Sequence, residues 1–360
     1  MEPLPEEEIR VSTIARVAAR AGVGVGTVSR VLNDSDAVRP ATRRRVQAAI
    51  DALGYEPSAA ARALSTGRTM AIGVIAPFVT RASVVERLRG VAPGVSDGGY
   101  QLVLLDVERP EQRDDVLRSV AVKGRFDGLL VISLPLSERV VARMRAAGVP
   151  IVLVDRRQPG LTGVHIDDEA GGRLATRHLL GLGHKRIAFL GDGEENPYGF
   201  DSSARRRAGY EAALRDAGVE VDPDLVVTGP HGRDTARALT RGLLALPAPP
   251  TAIFAASDDQ ALGVLEAASS AAVPVPGRLS VVGFDDIEIA RHAGLTTVAQ
   301  PLETSGALAV DLLLDALAGG APPQSRELPC ELVVRATTAG LDRPGFSGMI
   351  HARTTRGGVS

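Results

Sequence analysis

The fold class predicted for this 360-residue chain is an N-terminal all-α three-helix head, built on a helix-turn-helix, followed by an α/β core of two doubly wound parallel-sheet lobes. Three observations predict it. Residues 13–33 write two short amphipathic helices across a glycine-containing turn. From Met70 onward, apolar strand-like runs alternate with amphipathic helical segments. Charge divides along the same line: residues 13–68 hold nine Arg against four acids, net +5, residues 1–12 are net −3, and the remainder is net −4. A basic module on an acidic body points to a head that alone meets a polyanion. A solvated Arg-rich face would account for the charge equally well.

In the head, Ile14, Val17, Ala18 and Ala21 recur at three- and four-residue spacing and mark one helix face. Thr13 stands where an N-cap hydroxyl belongs, and Gly22 ends the period. Val28, Val31 and Leu32 turn a second helix inward and leave Thr27, Ser29 and Arg30 on its other face. Two helices joined this way place the second in the DNA major groove. After Pro40, the period Val46, Ala49, Ile50 and Leu53 closes a three-helix core, and the module runs to about Pro57. Residues 1–12, acidic and Pro-rich, are expected to be a disordered tail. The segment 58–67, led by Ser58 as a cap, is helix-friendly but too short to persist alone, which suits a linker that folds on contact.

In the core, strand-like runs fall at 71–77, 101–106, 128–133, 150–155, 186–191, 225–228, 251–256 and 279–284. Helical patterns such as 110–122, 137–147, 168–182, 202–217 and 257–272 separate most of them. Continuous apolar strands between amphipathic helices imply parallel sheets covered on both faces, and the length suggests two lobes. Pro93 inside the pattern 83–97 is expected to kink or shorten that helix. Apolar content of 44% supports a full core, and with no Trp and 3% aromatics that core is expected to be aliphatic and Ala-rich. Residues 342–360 are polar and Gly-rich, without a heptad, and are expected to be a loose tail.

Composition also excludes function classes. The single Cys, Cys330, leaves no internal disulfide and no Cys-based zinc site, and fits a reducing compartment. The acidic start is the reverse of a secretory signal, and no apolar run approaches a membrane span, so a soluble cytoplasmic protein without a membrane partner is expected. A catalytic reading would lean on the acidic doublets Asp167-Asp168, Asp258-Asp259 and Asp285-Asp286. Adjacent acids in turns are more often caps, and no P-loop, Gly-x-Ser-x-Gly or His-Glu-x-x-His occurs. No catalytic residue, metal or cofactor is expected.

The motifs Thr27-Val28-Ser29-Arg30-Val31-Leu32-Asn33, Arg39-Pro40-Ala41-Thr42-Arg43 and Leu53-Gly54-Tyr55-Glu56-Pro57 resemble the LacI/GalR family of bacterial transcription regulators. Further marks follow in family order: residues 148–156, Leu182-Gly183-His184-Lys185-Arg186-Ile187, Arg207-Ala208-Gly209-Tyr210 and Val281-Val282-Gly283-Phe284-Asp285-Asp286. The resemblance implies a DNA-binding head at 13–57, a hinge at 58–69, and a core like the periplasmic sugar-binding proteins of type I. It divides that core into one lobe of 70–168 with 300–330 and another of 169–299 with 331–341, joined by three crossings. It further implies a homodimer on a pseudo-palindromic double-stranded operator and a small-molecule effector, a sugar or sugar derivative, bound between the lobes. The expected function is then a ligand-controlled repressor of carbohydrate-related genes, with no tetramer, since the heptad is missing. A solute receptor for transport shares the core, but the basic head and the acidic start count against it.

By the same resemblance Thr27, Ser29, Asn33 and, through its hydroxyl, Tyr55 contact phosphates, which set register without reading sequence. Arg30 is the candidate for direct readout, because its fork matches the guanine O6/N7 edge. Its alternative is a solvated Arg paired with Asp34 or Asp36. The first turn of that helix departs from the family: Val25 reaches at most a thymine methyl, and Gly26 carries no reading group at about 1 kcal/mol of helix propensity. Either specificity shifts to Arg30 and DNA shape, or Gly26 lets the backbone approach the DNA closely. Leu64 matches the family's minor-groove wedge, with Ala61 beside it; unaided, it reads as a linker residue packing on the core. The cleft residues carried over are Asp155, Arg206, Ser257 and Asp285, with Ser83 and Phe78 as further effector-binding candidates; Phe78 either compensates for missing aromatics or belongs to the core. Asp155 and Asp285 follow apolar strand runs, where α/β lobes bind ligands. Arg206 suits a polyol, carboxylate or phosphate, unless it belongs to a solvated run with Arg205 and Arg207. Ala82, Ser83 and Val84 stand where many relatives carry stacking aromatics.

Overall fold

The computed structural model describes residues 13–33, 35–55, 67–122, 124–193, 197–319 and 322–341. The expected acidic tail, the hinge segment with Ala61 and Leu64, and the C-terminal tail lie outside these residues. Contacts group the chain into one unit that holds the head, reaches to Ala71 and includes the segment up to Asp127 that follows Val122, and a second that holds Ile72–Val122 and the chain from Gly128 onward.

The head holds α1 (Ile14–Ala21), α2 (Val25–Leu32) and α3 (Pro40–Leu53). Helices of eight residues do not persist alone in water, so α1 and α2 depend on their inward faces. Val17, Ala18, Ala21, Val28, Val31, Val46 and Ala49 supply these, joined by Val38 and Tyr55. Gly22 takes the left-handed conformation (φ 62°) that ends α1. Thr13 occupies the N-cap position, but its hydroxyl makes no capping bond, so the cap expected there is absent. Pro40 opens α3, where its missing N–H costs nothing.

The core begins with β1 (Ala71–Ala76), α4 (Ala82–Asp97), β2 (Gln101–Asp106), α5 (Pro110–Val120), β3 (Gly128–Ile132), α6 (Glu138–Ala147), β4 (Ile151–Val154) and β5 (Thr162–Ile166). It continues with α7 (Asp168–Gly181), β6 (Ile187–Asp192), α8 (Ser202–Asp216), β7 (Val226–Gly229), α9 (Arg233–Leu244), β8 (Ala252–Ala255), α10 (Asp258–Ser270), β9 (Ser280–Asp285), α11 (Glu288–His292) and β10 (Thr296–Ala299). The chain then returns through α12 (Leu302–Leu317) and β11 (Ser325–Leu328) to the first sheet, and β12 (Glu331–Val333) closes the second. The first sheet runs β11-β5-β4-β3-β1-β2 and the second β12-β10-β9-β8-β6-β7. The paired strands β1, β3, β4, β5 and β11 are parallel, as are β6 to β10, while β12 is antiparallel to β10. The chain therefore passes between the two sheets three times: after β5, after β10 and after β11.

The helix α4 is not shortened at Pro93, which lies on an exposed face, as does Arg89, the residue whose carbonyl loses its helical donor. Two of the core's clusters are aliphatic and Ala-rich as expected, while in a third Phe189, Tyr210 and Phe254 pack ring against ring, with Phe284 in the same cluster. Close helix approach sets the lobes: a Cβ on Gly90 would lie 1.9 Å from the Glu303 carbonyl, and one on Gly172 would lie 2.2 Å from the Arg206 carbonyl. The α4/α12 and α7/α8 contacts thus bring backbone to backbone, and they carry Arg87 and Arg206 into the cleft lining.

Candidate functional site

On the head, the outer face of α2 presents Val25 (45% exposed), Gly26 with nothing within 4 Å of a notional Cβ, and exposed Arg30 and Asn33, with Thr27 and Ser29 half-buried. Arg30 makes no ion pair with Asp36 or any other described carboxylate; its carbonyl accepts from the Ser35 N–H at 2.9 Å. Tyr55 differs from its surface neighbours, because it is 7% exposed and belongs to the apolar core of the head.

In the core each sheet has a topological switch point, between β1 and β3 in one lobe and between β6 and β8 in the other. Ligands of open α/β sheets bind at such points, beyond the carboxyl ends of the strands. Both switch points open on one cavity of about 480 Å³ between the lobes. It is lined from the first lobe by residues following β1, β3 and β4, and from the second by those following β6, β8 and β9. The strand ends are strained to suit. Ser133 (φ 57°), Asp155 (φ 64°) and Asp285 (φ 124°) hold positive φ without being glycine. Each such residue costs about 1–3 kcal/mol, and such strain collects at functional sites.

Arg206 lies at the floor, 6% exposed. Its Nε donates to Asp168 Oδ1 (2.8 Å), its Nη1 donates to the Ala256 carbonyl (2.6 Å) and lies 3.7 Å from Asp285 Oδ1, and its guanidinium covers the Phe284 ring at 3.6 Å. It is not part of a solvated run. Arg205 is exposed and Arg207 pairs with Glu211, because only one of three consecutive helical residues faces inward. Burial pushes the Asp168 carboxyl up to about 6 although Arg206 pulls it down. Burial raises Asp285 as well, against Arg206, Gln300 and Arg87. Burial opposes the Arg206 charge too, but Asp168, Asp285 and Asp155 outweigh it and keep the guanidinium protonated.

On the first lobe Arg87, 3% exposed, donates from Nη2 to Asp155 Oδ1 (2.8 Å) and to Gln300 Oε1 (3.0 Å). The Ser133 hydroxyl donates to Asp155 Oδ2 (2.7 Å), and Gln300 Nε2 donates to Asp285 Oδ1 (2.5 Å). On the second lobe Asp192 Oδ1 binds His231 Nδ1 (2.9 Å) and accepts from Gln260 Nε2 (3.0 Å). Burial raises the Asp192 carboxyl, but the hydrogen bond and charge of His231, with Arg81 and Arg206, outweigh it and hold it below the ordinary carboxylate range. Ser257 caps α10 by accepting from the Gln260 N–H (3.2 Å).

Of the residues singled out in the sequence, Ser83, Asp155, Arg206, Ser257 and Asp285 all line this cavity. Phe78 does not. Its ring packs on Tyr198 (5.0 Å between centroids) and under the Arg81 guanidinium (4.1 Å), and Phe200 is the aromatic that reaches the lining. Arg81, Arg87, Ser133, Asp192, His231, Gln260 and Gln300 also line it and were not anticipated. Ser133 and Asp192 could have been found at the ends of apolar strand runs; Gln300 follows a strand, Thr296–Ala299, too polar to read as one. The acidic doublets have local duties. Asp258, fully buried, accepts from Thr297 (2.6 Å) and from the Ile287 N–H (3.0 Å); Asp259 pairs with Arg233, Asp286 with Arg335, and Asp167 caps α7. No group of three potential metal ligands occurs among the described residues, and no helix there is long and apolar enough to cross a membrane.

Residues 13–58 match the family described as bacterial regulatory proteins, lacI family, and residues 176–338 match a periplasmic binding protein-like domain. The chain is 33% identical over 337 residues to the HTH-type transcriptional repressor CytR of Escherichia coli (strain K12), across 92% of this chain and 97% of that protein. It is 37% identical over 324 residues to the HTH-type transcriptional regulator CelR of Thermobifida fusca, across 87% and 94%. Among solved structures, the lac repressor dimer bound to operator and the anti-inducer ONPF is similar with a TM-score of 0.79 at 28% identity, over 92% of this chain and 100% of that one. A CelR–cellobiose complex is similar with a TM-score of 0.67 at 33% identity, over 91% and 99%.

Proposed function

The chain belongs to the LacI family of bacterial regulatory proteins, and from that membership we propose that it is a sequence-specific DNA-binding repressor controlled by a sugar or sugar derivative held between its lobes. The observation that carries the effector half is the cavity at the paired switch points. Sugar hydroxyls donate and accept at once, and here Asp155, Asp192 and Asp285 offer acceptors in the same cavity as the donors of Arg87, Arg206 and Gln260, contributed by both lobes. The named relatives support the class: CelR is solved with cellobiose, and a ribose operon repressor of Escherichia coli is 35% identical over 309 residues.

For the DNA half, Arg30 reads a guanine, Val25 and Gly26 lie against the groove, and Thr27, Ser29, Asn33 and the Tyr55 hydroxyl hold phosphates. Ala61 and Leu64 act in the minor groove. Two copies on a two-fold axis read a pseudo-palindrome, as in the lac repressor dimer on its operator. The protein acts in the cytoplasm, where that DNA is, and the acidic doublets, already engaged in caps and ion pairs, support a role without catalysis.

The test is selection of binding sites from random DNA by the purified full-length chain, with and without a panel of sugars. A pseudo-palindrome bound far more tightly than scrambled DNA, with affinity shifted by one sugar, is the expected result. Sequence-blind binding under every condition would overturn the reading.

A further inference from the structure

The carboxylates lining the cavity each have a resident partner. Asp155 has Arg87 and Ser133, Asp285 has Gln300 and Arg206, Asp192 has His231 and Gln260, Asp259 has Arg233, and Asp201 has Arg156. The arginines are not matched in the same way. Arg87 and Arg206 are both neutralised, whereas Arg81 lines the cavity with no carboxylate of the described residues within ion-pair distance. Its guanidinium carbon lies over the Phe78 ring, 4.1 Å from the centroid. That contact uses the π face and leaves the N–H donors at the edge of the plane unspent. The platform is rigid: Phe78 is held at φ 52°, its carbonyl accepts from the Arg81 N–H (2.8 Å), and its ring is braced by Tyr198.

Two more features favour negative charge beside this group. Arg81 is the N-cap of the sixteen-residue α4, whose first turn holds no acid and no side-chain cap, so the positive end of that helix is uncompensated. Burial also lowers the Arg81 pKa further than Asp192, Tyr198, Asp259 and Asp285 together can raise it, so the cation is under-compensated where it sits. A doubly charged group would bring excess negative charge beside Asp192, Asp259 and Asp285, the lining carboxylates that act on Arg81. A single negative charge balances one guanidinium.

We propose that the effector is an acidic sugar, an aldonate or uronate whose carboxylate is taken by Arg81 while its hydroxyls engage the Asp155, Asp285 and Asp192 side. This rests on the carbohydrate reading above and sharpens it. The test is calorimetric titration of the full-length protein with D-glucose, D-galactose and cellobiose, with the matching aldonates and uronates, and with the sugar 6-phosphates. One acid binds at least tenfold more tightly than its neutral parent, and that preference shrinks as salt rises. Arg81→Ala collapses the acid-to-neutral ratio toward one, a loss of about ten- to a hundredfold. Arg81→Lys restores part of it, which a merely structural role would not. Unchanged thermal unfolding of both variants confirms that the ratio is being read on folded protein. A neutral sugar or a phosphate bound more tightly than every acid, or an acid preference that survives Arg81→Ala, overturns the proposal and leaves the carbohydrate reading standing. Binding of none of these compounds overturns both.

Discussion

Replacing Arg206 by Ala is the most severe single perturbation available in the cleft, and its size can be worked from the contacts. The guanidinium is 6% exposed and holds Asp168 at 2.8 Å, the Ala256 carbonyl at 2.6 Å and Asp285 at 3.7 Å. Removing one member of a buried charge cluster leaves the others desolvated and unpaired, which costs about 3–5 kcal/mol. At about 2–4 °C per kcal/mol for a unit of this size, the core should melt about 6–20 °C lower. The pH dependence has a defined sign. Asp168 already stands at about 6 with Arg206 present, and without it the carboxyl rises further. A carboxyl whose pKa is higher folded than unfolded stabilises fully below the ordinary aspartate range, and that contribution is lost as pH rises through the folded value. In the parent the loss is complete a little above pH 6; in Arg206→Ala it continues upward, so the deficit is larger at pH 8 than at pH 5. Thermal unfolding at pH 5, 6.5 and 8, with effector titration at each, reads both effects. A variant that melts within 2 °C of the parent at every pH and keeps its effector would refute the account of the cleft floor.

Three further outcomes are expected. Arg30→Ala should reduce discrimination between operator and scrambled DNA by tenfold or more while residual non-specific binding persists, as read by competition binding at fixed salt; undiminished discrimination sinks the readout role. Asp285→Ala should remove the effector response in a DNA-release assay while operator affinity stays within a few-fold, and a normal response would show that the cleft is misassigned. Gly26→Ala has open space around the new methyl and should stabilise the head by about 0.5–1 kcal/mol in denaturant unfolding. Operator affinity that falls despite the more stable head would show that the glycine serves close approach to the DNA, whereas an unchanged affinity would show that it does not.

How much of this was legible in the sequence depended on how locally each feature is encoded. The head is written in three short apolar periods, and α1 to α3 follow them closely. Strands buried on both faces, such as Gly128–Ile132 and Ile151–Val154, are continuous apolar runs and can be read directly. The strands that escaped lie at or near sheet edges or carry polar side chains: Ser325–Leu328 is mostly exposed, Glu331–Val333 is three residues long, Thr296–Ala299 begins with two threonines, and Thr162–Ile166 interleaves Thr162, Gly163 and His165 with its apolar residues. In the cleft, Asp155 and Asp285 were visible because they end apolar runs. Arg87 was not, since it lies mid-helix in an otherwise ordinary amphipathic pattern and becomes a cleft residue only through Asp155 and Gln300, the latter more than two hundred positions away. Phe78, which the sequence leaves open between the ligand site and the core, lies outside the cavity lining for a related reason. A positive φ at that residue swings its ring onto Tyr198, and no local pattern announces that turn.

The cleft arrangement also suggests how occupancy can reach beyond the cavity. Ser133, Asp155, Arg87, Gln300, Asp285, Arg206 and Asp168 form one chain of polar contacts, with successive separations of 2.7, 2.8, 3.0, 2.5, 3.7 and 2.8 Å. It starts at the end of β3 in one lobe, passes through Gln300 on the segment between the sheets, and ends at the start of α7 in the other. The links that join the lobes are those of Arg87 and Asp285 to Gln300, and these resist a change in lobe separation; the longest link, 3.7 Å between Arg206 and Asp285, lies within the second lobe. Allosteric coupling amounts to about 1–3 kcal/mol, and one hydrogen bond to a charged group is worth about 1.5–3 kcal/mol. Exchanging a single link for ligand contacts is then enough to supply a regulatory signal, provided those contacts differ between the two lobe arrangements. A ligand that merely filled the cavity, touching both arrangements equally, would bind and change nothing.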